Sequence, residues 1–283
     1  MHWARSAYGG IKRCAHAATG ALDALLPMRR CPLCSARRQR LTHVTDWYYY
    51  LLCPECHLCY VGNAPPEPQV TAWYRRQTFE QQRAIFHCSN DTDRDAWDRW
   101  LEFKFQVFRE IRLNTAAHHE RQSLLEIGCG EGLLLLFFRD QGWDVKGLEL
   151  NPSLAQRLQR QGLDVSQQPI ADFGDGVLYD LILMFHVLEH LHNPLRDLAK
   201  VRSLLAVGGE VVIETPVSRN YACTDHLFFF NSTNLRECLS LSGFRPVSSY
   251  QYVDAEHPDF TNLCIRCVAL ENRFAHEEVI SCA

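Results

Sequence analysis

From residue 122 onward, short apolar runs alternate with amphipathic stretches at strand and helix lengths. Ser123–Ile127 is a compact apolar run, and Glu131–Asp140 follows with a helical pattern that stops at Gly142. Asp144–Leu150 repeats the strand pattern. Asn151-Pro152 places a capping side chain before a proline suited to the first helical position, so a helix opens there and Gly162 closes it. Leu181–Phe185, Glu210–Glu214, 247–252 and 261–269 form further strands, with helices opening at Asn193-Pro194 and spanning Ser232–Leu241 before Gly243. This alternation predicts an α/β fold, a mostly parallel sheet with helices on both faces. Upstream, Trp97, Leu101, Phe105, Phe108 and Ile111 recur at steps of four and three. They form one broad helix face whose expected role is core packing.

The front of the chain has another texture. Residues 1–30 form an Ala- and Gly-rich extension with a weak helical stripe. Residues 31–62 hold clustered cysteines, and the linker Gly62-Asn-Ala-Pro-Pro-Glu-Pro68 opens a helical segment reaching residue 119. The expected division is therefore 1–30, 31–62, 63–119 and 120–283.

Composition narrows the class. At 283 residues with 47% apolar and 22% charged positions, the chain is neither disordered nor fibrous. Leu133–Phe138 is an apolar run of six residues, whereas a membrane-spanning helix needs about 20, so no span is expected. The first 30 residues lack the apolar centre of a secretory signal, and a cytoplasmic location is expected. Residues 1–69 carry a net charge of +4 and the remainder −8. A modestly basic front on an acidic body makes nucleic acid an unlikely partner.

Six of the thirteen cysteines lie in the first 69 residues. Cys31-Pro-Leu-Cys34 and Cys53-Pro-Glu-Cys56 are separated by 18 residues. Two C-x-x-C pairs at that spacing suit a four-thiolate structural zinc site, with Cys31, Cys34, Cys53 and Cys56 as ligands. Cys59 and His57 are weaker substitutes. Cys264-x-x-Cys267 lies in an expected strand, where residues three apart face opposite ways, and is read as structural.

The decisive segment is Leu124-Leu-Glu-Ile-Gly-Cys-Gly-Glu-Gly132. A strand enters a loop with Gly128, Gly130 and Gly132, and a helix leaves it. Glycines allow a tight turn and close ligand approach, and the helix N-terminus offers free N–H groups to a carboxylate. Twenty-one residues after Gly128, Glu149 ends the second strand, where an acid can accept ribose hydroxyls.

Glu126-x-Gly128-x-Gly130-x-Gly132 resembles the first motif of class I S-adenosylmethionine-dependent methyltransferases. The resemblance continues through Tyr179–His190, Leu204–Pro216, His226-Leu-Phe-Phe-Phe-Asn-Ser and Gly243-Phe244, covering roughly residues 120–270. The subgroup it looks most like contains ubiquinone-pathway and sugar methyltransferases. It implies a Rossmann-like, seven-stranded sheet. It also implies that the three glycines flank the cofactor's methionine part, that Glu126 helps hold its amino group, and that Glu149 binds the ribose. Asp172 and Phe173 would lie near the adenine, and Phe185 with His186 would end the fourth strand, where ligands bind in open α/β sheets. Cys56-His-Leu-Cys-Tyr-Val61 resembles the second knuckle of zinc ribbons that precede methyltransferase domains, except that His57 stands where glycine is common.

Methyl transfer to a hydroxyl or an acidic C–H needs an aligned nucleophile and a base, and histidine is the natural base near neutral pH. His226 is the first candidate, with Asp225 as a possible orienting partner, because related sugar enzymes have a histidine after an acid in this region proposed as base. His186 comes second, and His190 is more plausibly structural. Glu189 is an acid–base group or a buried salt partner, and His118-His119 a solvent-facing linker. The expected substrate is a small molecule or sugar-bearing metabolite, methylated on oxygen or carbon. The alternatives are an RNA base methyltransferase, against which the acidic body argues, and an inert zinc-ribbon interaction protein, against which the intact glycine loop and Glu149 argue.

Overall fold

A computed structural model describes residues 29–77, 94–115, 122–217, 219, 221, 225–253 and 261–270. Residues 1–28 of the expected extension 1–30, His118-His119, and the parts of the helical segment and chain end beyond these bounds lie outside the described residues.

Eleven strands and six α-helices are described. They are β1 (Arg40–Val44), β2 (Tyr49–Leu52), β3 (Cys59–Val61), α1 (Glu67–Arg76), α2 (Arg94–Glu110), β4 (Ser123–Ile127), α3 (Leu133–Asp140), β5 (Asp144–Leu148), α4 (Pro152–Arg160), β6 (Asp164–Ser166), β7 (Tyr179–Phe185), α5 (Pro194–Ser203), β8 (Leu205–Pro216), β9 (Phe228–Phe229), α6 (Ser232–Leu241), β10 (Phe244–Val253) and β11 (Thr261–Ala269). Short 3₁₀ turns occupy Ile170–Asp172 and Leu188–His190. The main sheet is seven-stranded, in the order β10-β11-β8-β7-β4-β5-β6. Pairs from β8 to β6 are parallel, while β11 runs antiparallel to both neighbours.

The expected caps form. The Asn151 side chain accepts from the N–H groups of Ser153 and Leu154, and Asn193 caps α5. Asn231 and Asn234 form a reciprocal capping box at α6. β8 is longer than the apolar pattern implies, because it runs through Gly208-Gly209. A Cβ on Gly209 would sit 2.8 Å from the Tyr179 carbonyl oxygen, so only glycine lets β8 pass there.

Strand alternation divides the core into two layers. Leu125, Ile127, Ile182, Met184, Val211 and Ile213 point one way, into a core shared with α5 and α6. Leu124, Leu181, Leu183 and Val212 point the other way, toward α2, α3 and α4. Cys264 falls in the second layer and Cys267 in the first, the opposed facing expected for that pair. On α2 Phe108 is buried and Leu101 and Phe105 are half-buried, and Ile111, directly after the helix, is buried, as the helix stripe implies. The Trp97 side chain lies outside the described residues.

The cysteine-rich segment does not stand apart. β1-β2-β3 form a small antiparallel sheet whose fourth strand is β9, supplied from after β8. Its buried Tyr49, Tyr50 and Tyr60 join the same apolar cluster as α5 and α6.

Candidate active site

The glycine loop leaves β4 with Gly128, Gly130 and Gly132 all at positive φ, of 70°, 52° and 73°. Two of them are tightly enclosed: a Cβ would meet Val187 at 2.6 Å from Gly128, and Leu158 at 2.6 Å from Gly132. At Gly130 nothing lies within 4 Å, so the middle of the loop faces open space that a ligand can enter. Glu149, directly after β5, turns back onto this loop. Its Oε2 accepts from the Gly130 N–H at 3.0 Å and its Oε1 from the Asn151 N–H at 2.8 Å. Burial raises its carboxyl above the usual range despite these donors.

Glu126 is 6% exposed, and its Oε2 is buried without a hydrogen-bond partner among the described residues. Burial, reinforced by the charge on Glu149, pushes its carboxyl up to about 8. A buried carboxyl oxygen without a partner beside a glycine loop suits a cationic ligand group such as an amine, whose charge would favour loss of the carboxyl proton. Asp172 is exposed on its 3₁₀ turn, while Phe173 is a core residue at 2% exposure. Phe185 ends β7 on the α2 side, with its ring centroid 6.0 Å from that of Phe108.

At the C-terminal ends of β7 and β8 the chain assembles a network of charged groups in which Lys104, Glu189 and Glu214 are buried and His186 is half-buried. His186 takes φ +53°, unusual for a residue with a side chain. Its Nε2 lies 3.1 Å from Glu214 Oε1 and its Nδ1 3.4 Å from Glu189 Oε1. Both carboxylates are buried. Glu214 also pairs with Lys104 of α2, whose Nζ donates to the Tyr252 hydroxyl at 3.1 Å. That ammonium sits 5.1 Å from the Phe185 ring centroid and 5.4 Å from that of Trp100. Glu189 Oε2 accepts from Thr215 Oγ1 at 2.9 Å.

The charges sort the histidines. Burial opposes protonation of His186, but the bonds to Glu189 and Glu214 outweigh it and raise the ring to about 9. Glu189 is held near 2 against the effect of burial, mainly by its bond to His186, and Glu214 near 2 by the Lys104 charge and His186. His226 is buried, with its ring 4.8 Å from that of His190. Burial, followed by the nearby His190, lowers it to about 4. Asp225 acts on His190: the His190 Nδ1 lies 3.0 Å from the Asp225 backbone oxygen and 3.6 Å from its Oδ2. Glu189, His190 and His226 bring one donor atom each within 4.8 Å of one another.

Sequence reasoning overlooked Lys104, Glu214 and Tyr74. Lys104 interrupts the apolar face of α2, a usable signal. Tyr74 of α1 carried none. Its ring stands 6.1 Å from His190, and its hydroxyl is buried without a hydrogen-bond partner among the described residues. Burial and then the charges of Asp225, Glu189 and Glu149 hold that phenol protonated.

The four cysteines converge. Cys31 and Cys56 sulfurs lie 3.5 Å apart, as do those of Cys34 and Cys53, and all four fall within 4.8 Å of one another. A tetrahedral zinc with bonds of about 2.3 Å spaces its sulfurs at about 3.8 Å, so the set fits the ion. Both knuckles close alike. The N–H of Ser35 donates to the Cys31 carbonyl at 2.9 Å, and that of His57 to the Cys53 carbonyl at 3.0 Å. Ser35 and His57 both adopt positive φ, 60° and 58°. His57 thus takes the conformation that a glycine would supply. Cys59 is turned elsewhere, with its sulfur 3.8 Å from the Tyr221 hydroxyl. Among the described residues, no helix is long and apolar enough to cross a membrane.

Residues 100–249, just over half of the chain, match the methyltransferase-domain family. Two similar proteins are ubiquinone biosynthesis O-methyltransferases. That of Acinetobacter baylyi is 25% identical over 138 residues, 44% of this chain and 58% of that protein. That of Erwinia tasmaniensis is 28% identical over 137 residues, 44% of this chain and 56% of its own. The chain therefore matches little more than half the length of these curated relatives. Among solved structures, the Burkholderia thailandensis 1,6-didemethyltoxoflavin-N1-methyltransferase with bound S-adenosylhomocysteine shares the fold. It has a TM-score of 0.53 and 19% identity, covering 82% of this chain and 99% of that one. So does the magnesium protoporphyrin IX methyltransferase of Synechocystis PCC 6803 with bound S-adenosylmethionine, at TM-score 0.54 and 16% identity over 73% and 99%. The strand–glycine–helix–strand–acid order, the sheet and these matches agree: the chain belongs to the methyltransferase-domain family and shares the fold of methyltransferases that bind S-adenosylmethionine or S-adenosylhomocysteine.

Proposed function

We propose that this enzyme methylates an oxygen or carbon of a small molecule or sugar-bearing metabolite, with His226 as general base. The observation that carries the reading is the sorting of the two histidines in the cleft. His186 is held charged between two carboxylates, whereas burial keeps His226 neutral, so of the two His226 is in the form that can accept a proton at pH 7. The similarity to ubiquinone biosynthesis O-methyltransferases favours a small acceptor bearing a hydroxyl.

S-adenosylmethionine supplies an electrophilic methyl group when bound. Gly128, Gly130 and Gly132 would flank its methionine part. Glu126 Oε2, unpartnered and buried, would receive the amino group, and Glu149 the ribose hydroxyls. Asp172 would face the adenine, with Phe173 packed behind it and Phe185 walling the methyl end. The acceptor's O–H or C–H proton would pass to a ring nitrogen of His226. Asp225 would orient His190, which stands against the base. Cys31, Cys34, Cys53 and Cys56 would hold one structural zinc.

His226→Ala tests the reading. Turnover should fall by about 10²–10⁴-fold, the usual contribution of a general base, with cofactor affinity within about twofold of wild type. Unchanged turnover with the deduced acceptor class would refute the role.

A further inference from the structure

The loop that carries Asp225 and His226 joins β8 to β9, and its far end is held between the cysteine module and the 3₁₀ turn Leu188–His190. The Leu227 carbonyl accepts from the Val61 N–H at 2.9 Å, and the Leu227 N–H donates to the Glu189 carbonyl at 2.8 Å. The peptide after His226 is therefore strung between the module's last strand and the 3₁₀ turn of the charged network. Phe228 and Phe229 then pair with Tyr60 and Cys59, three residues beyond the ligand Cys56. The buried Asn234 side chain donates to the Cys56 carbonyl at 3.4 Å, which ties the start of α6 to the same knuckle.

The module's own strands have three to five residues each. The strands pack their apolar side chains into the α5 and α6 cluster, but the two knuckles meet through their thiols, and four converging thiols without a cation are joined by weak contacts alone. The glycine loop and Glu149, by contrast, sit on β4 and β5 inside the seven-stranded sheet and do not depend on the module.

We propose that the four-cysteine module clamps the His226 loop, so that metal at Cys31, Cys34, Cys53 and Cys56 sets the position of the acceptor side of the cleft while leaving the cofactor side alone. The inference rests on the zinc and His226 roles proposed above, but its readout is structural and independent of turnover.

Hydrogen exchange of the full chain, before and after metal chelation, tests it. Metal loss should speed exchange in residues 225–230 by at least about tenfold, leave 124–132 unchanged, and keep S-adenosylmethionine affinity within about twofold. Loosening confined to 31–61, with 225–230 unmoved, would overturn the clamp. Purification of a chain that contains no zinc and takes none up would instead overturn the zinc reading and the metal half of the proposal. Val61→Pro then judges the clamp by itself, since it deletes the donor to Leu227 and keeps every cysteine. Faster exchange at 225–230 upholds it, and unchanged exchange overturns it. His226→Ala with unchanged turnover would overturn the base role and leave these exchange results standing.

Discussion

His186 Nε2 stands 3.1 Å from Glu214 Oε1 across the ends of two neighbouring parallel strands, and this contact binds the two layers of the core together. Glu214 pairs in register with Cys264 and belongs to the α2 side of the sheet, where Lys104 meets it. The following residue, Thr215, faces the other side and donates to Glu189. His186 reaches both carboxylates from the strained end of β7.

The first expected outcome is a pH profile. His226, lowered to about 4, stays unprotonated well below the usual histidine range, so turnover should hold as pH falls from 7 to about 5. His186, raised to about 9, should lose its proton only on the alkaline side, where its pairing with Glu189 and Glu214 weakens. For stability the signs differ between the two rings. The His186 contribution is full below 6.5 and is lost as pH rises through about 9. The His226 contribution is present above 6.5 and is lost as pH falls through about 4. A kcat/KM profile that breaks near 6.5 would contradict the neutral, buried His226.

A second outcome concerns the buried ion pair. Lys104→Met leaves Glu214 without its strongest counter-charge in a fully buried position, and should cost about 3–5 kcal/mol of folding stability. Lys104→Met combined with Glu214→Gln removes both charges and should recover part of that loss. Denaturant unfolding of both variants gives the comparison. Equal destabilisation would show that the pair acts through packing alone.

Cofactor binding should depend on Glu149. Its carboxylate holds the Gly130 N–H and is the expected partner of the ribose, and hydrogen bonds to a charged group contribute about 1.5–3 kcal/mol each. Glu149→Ala should therefore weaken S-adenosylmethionine binding by about tenfold or more in calorimetry. Unchanged affinity would remove Glu149 from the site.

Elemental analysis should find one zinc per chain, and Cys53→Ser should lower it sharply, because three thiolates leave the tetrahedron open. Full zinc retention in that variant would mean a different ligand set. Since the cysteine module shares its apolar cluster with α5 and α6, the variant should also lose thermal stability beyond the first 69 residues.

Much of this was legible in one dimension. Apolar run lengths, the Asn-Pro helix openings and the terminating glycines mark most elements of the sheet, because strand alternation and helix capping are local properties of the chain. The glycine loop, Glu149 and the two C-x-x-C pairs were equally plain, since each is a short segment whose chemistry depends on spacing. Lys104, Glu214 and Tyr74 were not, because Lys104 meets Glu214 and Tyr252 across 110 and 148 positions, and the charges around Tyr74, on Glu149, Glu189 and Asp225, lie 75 to 151 positions away. Sequence ranked His226 before His186 by position but could not give the charge of either ring. An imidazole's charge is set by the carboxylates and the burial around it, and those are assembled only when β7, β8 and α2 meet. The fourth strand of the cysteine module was hidden for the same reason: Phe228 and Phe229 follow His226 in the chain, and only folding brings them to Cys59 and Tyr60.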